Sequence, residues 1–244
     1  MEKMVIDAGG LDFAALNAKI RECGSGDILI KNCLGQRYIA VAESDKNIRI
    51  EGVPGNALGA YLGGGVIEVE GNAQEAVGDT MNDGEIIIHG SCGDGAGYAM
   101  RGGRIMIAGD VGYRAGIHMK AYGEHLPVMV VGGSAGSFLG EYQAGGMIIV
   151  LGLNRADGAP PVHNYCGAGM YGGRIFLRAE RMPSGLPPEI EAGWAAEADL
   201  DDMRRHAADF CRAFSLSLGE VMAARFVVLR PTGKNPYEKL YVNN

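Results

Sequence analysis

Five cysteines and five histidines are the side chains best suited to metal binding or nucleophilic chemistry, and they do not gather. Cys23, Cys33, Cys92, Cys166 and Cys211 are widely spaced, without a C-x-x-C pair. A zinc or cluster site would show closer ligand spacing, and an odd set of isolated cysteines suits free thiols in a reducing compartment. His163-Asn164-Tyr165-Cys166 offers two ligands but no second pair. Gly167-Ala168-Gly169-Met170-Tyr171-Gly172 satisfies G-x-G-x-x-G. A dinucleotide loop must follow a strand and open a helix, however, and these glycines lead into a strand. A Ser-His-Asp set is not legible without geometry. No catalytic, metal or cofactor site is therefore assigned to this chain.

Polar residues do recur at the turns of a repeat: Asn72, Gln74, Asp79, Thr80, Asn82, His89, Asp94, Tyr98, Arg101, Tyr113, Arg114, His118 and Lys120. Two roles suit them. They can bond turn backbones and form polar networks between neighbouring coils, because buried amides and carbonyls must find partners. They can also form a partner surface, for which Arg and Tyr are good anchors.

The elements that position these residues follow from the repeat itself. Between residues 47 and 152 an alternating apolar strand ends repeatedly on glycine, at 52, 71, 90, 109, 133 and 152. The steps are 19, 19, 19, 24 and 19. Gly59, Gly78, Gly97, Gly116 and Gly140 run in phase, as do the apolar columns Leu58, Val77, Ala96, Ala115, Leu139 and Leu62, Met81, Met100, Met119. The second column breaks only at Gln143. A coil of about 19 residues cannot bury its apolar side alone, so neighbours must stack on it. The turns hold glycine rather than a helical pattern, so the reading is an all-β solenoid, a single-stranded parallel β-helix, with helical additions at both ends.

Two insertions interrupt the count, at residues 121–126 and 153–165, and insertions in solenoids often carry binding function. Glu124, His125, His163 and Tyr165 are the candidate contact residues there. Between the two apolar positions of each strand, Arg49 and Glu68 give way to Ile87, Met106, Val130 and Ile149. The outer face thus turns apolar along the solenoid, and either the C-terminal segment or another protein must cover it.

Residues 1–26 read as a capping segment, with Asp12 to start a helix and Gly24 to stop it. Residues 27–180 are the β-helix. Residues 181–244 form a proline-bearing linker, an amphipathic helix through Leu200, Met203, Ala207, Phe210, Cys211 and Phe214, a short second helix, a strand near Phe226, and a tail. With 22 Lys plus Arg against 29 Asp plus Glu, the net charge of −7 gives no footprint for nucleic acid or an anionic membrane. No apolar run approaches the ~18 residues of a spanning helix, and no signal-type segment opens the chain. The expected location is the cytoplasm.

Gly71-Asn72-Ala73-Gln74 with Val77-Gly78-Asp79-Thr80-Met81-Asn82, Gly97-Tyr98-Ala99-Met100-Arg101-Gly102-Gly103, Val111-Gly112-Tyr113-Arg114 with Gly116-Ile117-His118-Met119-Lys120, and Phe138-Leu139-Gly140-Glu141-Tyr142 carry a family likeness. They resemble the glycine-rich C-terminal domain of the glutamate synthase large subunit, in particular its free-standing version. The resemblance implies a right-handed parallel β-helix that positions catalytic domains without carrying the chemistry. It implies partners: an amidotransferase subunit that releases ammonia, and a flavin-containing synthase subunit bearing FMN and an iron-sulfur cluster. It leaves room for a homo-oligomer. The related β-helix component of formylmethanofuran dehydrogenase is the alternative within the family. The alternative from another class is a self-sufficient enzyme acting at a groove between the two insertions.

Overall fold

A computed structural model describes residues 4–24, 26–156 and 158–233. The C-terminal tail beyond them, expected from its Pro, Lys and Tyr content, lies outside the described residues. The architecture is a β-solenoid of about seven coils built on one long, mostly parallel sheet. Its strands in order are β1 (Met4–Asp7), β2 (Gly26–Leu34), β3 (Lys46–Val53), β4 (Gly63–Val69), β5 (Asp83–Ile88), β6 (Arg104–Ile107), β7 (Val128–Val131), β8 (Ala144–Val150) and β9 (Gly172–Arg178). Each pairs in parallel with the next, so Ile48, Ile67, Ile86, Ile105, Met129, Ile148 and Ile175 stand in one register. These residues and the column from Leu58 to Leu139 are almost wholly buried inside the solenoid. A second, minimal ribbon of one residue per coil runs through Ala73, Cys92, Val111, Ala135 and Val162.

Each coil turns through three left-handed residues spaced two apart. Gly78 occupies the middle position with φ of +66°, and a Cβ there would lie 2.5 Å from Ile105 Cδ1. Only glycine suits both conditions. The flanking left-handed positions are not glycine in most coils: Ala76 and Thr80 flank Gly78, Arg114 and His118 flank Gly116, and Phe138 and Tyr142 flank Gly140. Their amides cross between coils. Gly78 N donates back to Leu58 O at 2.8 Å, and Thr80 N donates forward to Tyr98 O at 2.7 Å.

Such a ladder lacks a partner at each end, and side chains complete it. In the first coil Ala40 N has no preceding carbonyl and donates instead to Oδ1 of buried Asn17, at 3.1 Å. In the last coil Gly169 N donates to Glu189 Oε1 at 2.8 Å. Asn17 sits on α1 (Phe13–Glu22), whose N-cap Asp12 accepts from Ala15 N at 2.8 Å. Gly24 does not close this helix. Cys23 stops it one residue earlier by turning to an extended conformation, and its amide bonds Lys19 O.

Past β9 the chain reverses the sheet. β10 (Ile190–Trp194) lies in a stretch read as linker and helix approach, and β11 (Phe226–Pro231) inserts antiparallel between β9 and β10. Between them α2 (Glu197–Ala213) lies on the apolar outer face, and α3 (Leu218–Met222) follows. Met203, Ala207, Phe210 and Cys211 bury against Met106, Val130, Met147, Ile149 and Phe176. The cover therefore comes from the chain itself. Burying one such large side chain stabilises by roughly 1.5–3 kcal/mol. Ion pairs set the helix in register: Arg104 binds Asp209, Arg174 binds Asp202 at 2.7 Å, and Arg230 binds Asp199. Asp199 also accepts from Ala196 N, satisfying one open amide of the first turn.

His206 faces this seam with 8% exposure and an unpartnered Nδ1. Burial, aided by Arg205 and Arg104 and opposed by Asp209 and Asp202, lowers its pKa from 6.5 to about 4. The unfolded chain therefore binds the extra proton between these values, and stability is lost as pH falls through that window. Urea unfolding of wild type should lose on the order of 2 kcal/mol more than His206→Gln between pH 6.5 and pH 4. Asn17→Ala and Glu189→Ala should each lower unfolding free energy by about 1–2 kcal/mol, and the effects should add because the two sites cap opposite ends.

Candidate functional site

The corner residues divide by phase. Immediately after the closing glycine, side-chain oxygens bond the next coil. Asn72 Oδ1 accepts from Ser91 N at 2.8 Å, Ser91 Oγ from Asp110 N at 3.0 Å, and Asp110 Oδ1 from Ser134 N at 2.7 Å. Three residues on, Asp94 Oδ1 accepts from Tyr113 N at 2.7 Å. Asp79 and Asn82 bond locally, to Thr80 Oγ1 and Thr80 O. Arg101 Nε bonds Ala99 O, while Gln74 and Lys120 are exposed. Asn72 and Asp94 are thus cross-coil fasteners.

The left-handed positions carry a different cargo. Early coils mix Ala42, Ala57, Ala76, Thr80 and Ala99 with Tyr38 and Tyr61 there, whereas later coils place Arg114, His118, Phe138, Tyr142 and Tyr165. A bulky residue at positive φ is uncommon, and such strain clusters at functional sites. The rings form two short ladders along the coil stack. Tyr98 meets His118 edge-on with centroids 5.9 Å apart, and His118 stacks on Tyr142 at 5.2 Å with planes 11° apart. Tyr113 meets Phe138 at 5.2 Å, and Phe138 stacks on Tyr165 at 4.7 Å. The Arg114 guanidinium lies 4.8 Å above Tyr113 and 5.4 Å above Phe138, and its Nε contacts Glu141 at 2.8 Å. Tyr165 remains 55% exposed and Tyr98 41%. This is a preorganised aromatic and cationic surface on rigid backbone, of the composition that anchors protein partners.

Phe138, Glu141 and Tyr142 are absent from the sequence-derived corner set. The signal was present, because they lie 24 residues after Arg114, Ile117 and His118, in the same columns once the insertion is discounted.

His89 is not a corner residue. It follows β5 on the outer face, where Nε2 lies 2.9 Å from Glu68 Oε1 and the ring packs edge-on to Phe214 at 5.2 Å. The alternation of the strand, continued one residue past Ile88, turns it outward.

Among the described residues the two insertions are not brought together in a common cleft. The first closes as a tight turn with Tyr122 and His125 exchanging backbone bonds, and Glu124 and His125 are exposed. It precedes β7, whereas the second follows β8. The clefts at the second insertion, one with His163 beside Asp110 and Asn154, take no lining residue from 121–126. Tyr165 instead belongs to the aromatic ladder.

Gly132-Gly133-Ser134-Ala135-Gly136 also satisfies G-x-S-x-G. It leaves β7 for a corner rather than a helix, so it lacks the strand-to-helix turn of a nucleophile elbow. The glycines 167–172 likewise form a corner entering β9. The described cysteines are all free and buried, and burial pushes the Cys92 and Cys166 thiols up to about 12. Among the described residues no three or more His, Cys, Asp or Glu gather into a metal-holding group, and no helix is long and apolar enough to cross a membrane.

Fold and corner pattern together define a glycine-cornered β-solenoid. The family model described as "GXGXG motif" matches residues 16–191, and this chain belongs to that family, which includes the C-terminal domain of the glutamate synthase large subunit. It is also similar to an uncharacterized protein of Methanocaldococcus jannaschii, with 41% identity over 253 residues, spanning 99% of this chain and 97% of the relative.

A thiolate-specific disulfide reagent at pH 8 should leave Cys92 and Cys166 unmodified in the native protein and label them on denaturation. Rapid native labelling of either, located by peptide mass, would contradict their burial.

Proposed function

We propose that this chain is a noncatalytic scaffold subunit of a cytoplasmic, glutamate synthase-like complex in glutamate and nitrogen metabolism. It docks an amidotransferase subunit and a flavin-containing synthase subunit in a fixed relation. Family membership supports the class of assembly. The observation that carries the docking role is the paired ring ladder, Tyr98–His118–Tyr142 and Tyr113–Phe138–Tyr165, with His118, Phe138, Tyr142 and Tyr165 on left-handed backbone and Arg114 across it. In this reading the oxidoreductase chemistry, the FMN and the iron-sulfur cluster reside on the partners. This chain's contribution is geometry, since orienting two reacting modules lowers a barrier without a group that touches substrate.

Asparagine tolerates left-handed backbone better than other non-glycine residues, so Phe138→Asn and Tyr165→Asn remove rings while keeping the corner. Coexpression with amidotransferase and flavin-barrel subunits of the source organism should give a complex that co-elutes in size-exclusion chromatography. The double variant should weaken assembly by about 10-fold or more, with thermal unfolding shifted only slightly. Failure of every subunit pairing to assemble with the wild-type chain would reject the scaffold role. Assembly indifferent to the double variant would move the contact off this corner.

A further inference from the structure

We propose that the left-handed corner pairs with a second copy of this chain, about a twofold axis that crosses the stack between the coil of Gly97 and the coil of Gly116. In that arrangement the two stacks run in opposite directions, and each corner column of one copy lies on the same column of the other, as an isologous contact requires.

The pattern of side-chain size carries the inference. The first left-handed column runs Ala57, Ala76, Gly95, Arg114, Phe138 and Tyr165, and cross-coil amide bonds hold these residues in step, one coil of ~4.8 Å apart. The last column runs Tyr61, Thr80, Ala99, His118, Tyr142 and Gly169, held likewise. Reversal about the axis sets Gly95 opposite Arg114, Ala76 opposite Phe138 and Ala57 opposite Tyr165. It sets Ala99 opposite His118, Thr80 opposite Tyr142 and Tyr61 opposite Gly169. Every pair joins a larger side chain to a smaller one, in both columns at once. Packing within the chain does not require this: a Cβ on Gly95 would meet nothing within 4 Å, and Arg114 and Phe138 occupy the same corner position at similar positive φ.

Charge follows the same symmetry near the axis. Arg114 faces Gly95 of the second copy, whose neighbour Asp94 is exposed, so an Arg–Asp pair forms on each side of the axis. The Arg114 side chain is 46% exposed and is already steadied by its Nε bond to Glu141. The rim is less favourable, because Arg101 falls opposite Lys120 and Asp79 opposite the buried Glu141. Like charges across a contact cost affinity, and the strip is only about 25 Å long, so the dimer is weak and exchangeable.

The pairing covers the ring ladders. On the scaffold reading a second copy therefore holds the corner until a partner subunit replaces it. The dimer itself does not depend on that reading, because self-association is measured on the isolated chain.

Sedimentation of the full chain from about 5 to about 500 μM should show a monomer–dimer equilibrium with Kd on the order of 10–100 μM. Gly95→Asn keeps a residue that tolerates left-handed backbone but fills the space facing Arg114, and should weaken the dimer about 10-fold or more. Arg101→Glu turns a like-charged pair into an opposite one and should tighten it about 3-fold or more. Opposite shifts from two variants on one corner, with thermal midpoints near that of wild type, are not expected of a merely adhesive aromatic surface. If Gly95→Asn lowers the midpoint, Arg101→Glu decides alone. A chain that stays monomeric at about 500 μM, or a dimer that Arg101→Glu does not tighten, would overturn the pairing and leave the scaffold reading standing.

Discussion

The structure depends on backbone amides that cross from one coil to the next at left-handed corners. A single coil of about 19 residues has no internal ladder of its own, so nearly every polar backbone group must be satisfied by a neighbour. Three left-handed residues two apart, as at Ala76, Gly78 and Thr80, direct alternate amides back and forward along the stack. Placing a side chain there costs roughly 1–2 kcal/mol per residue. The cost is accepted repeatedly because the alternative is an unpaired amide at a buried corner, which costs about as much and propagates to the next coil. The same logic explains Asn17 and Glu189, each supplying the oxygen that a missing coil would have supplied.

The parallel stack creates a second demand. A sheet whose strands are apolar on both faces needs two covers. The solenoid interior is one, and the outer face from Ile87 to Phe176 requires the other. α2 provides it, and ion pairs from Arg104, Arg174 and Arg230 hold the helix over that face. β11 then adds antiparallel to β9, and β10 pairs antiparallel with β11 beyond it, so the parallel register does not pass directly from β9 to a further coil. A polar cap, a covering helix and a reversed edge manage the exposed surfaces that an open solenoid would otherwise present.

The coil was legible in the sequence because glycine and β-branched residues mark positions with one physical solution each. Gly78 must be glycine, and the columns through Ile86 and Ile105 must be apolar. The flanking left-handed residues were not legible, because alanine, arginine, phenylalanine and tyrosine do not advertise positive φ. Strain that is held by neighbours leaves no mark on residue type. β1 and β10 were missed for another reason: they are short and, unlike the equally short β6 and β7, fall outside the repeat, so only pairing reveals them. Much of the candidate surface was visible as Tyr98, Tyr113, Arg114 and His118. Its other half, Phe138 and Tyr142, was hidden by the five-residue insertion that shifts the count.

Rings on strained backbone call for an explanation that folding does not provide. The coils with Ala76 and Thr80, or with Gly95 and Ala99, at these positions stack by the same bonds as coils with Arg114, Phe138 and Tyr142, so those bonds do not need large side chains there. Three other surfaces are committed elsewhere: α1 caps one end, β11 and β10 close the other, and α2 covers the apolar part of the outer sheet. The corner edge is where rings accumulate at partial exposure, and it is fixed by cross-coil bonds on both sides. The rings stack on one another across coils, and a surface so held loses little entropy on docking, which is the property the proposed scaffold role would use.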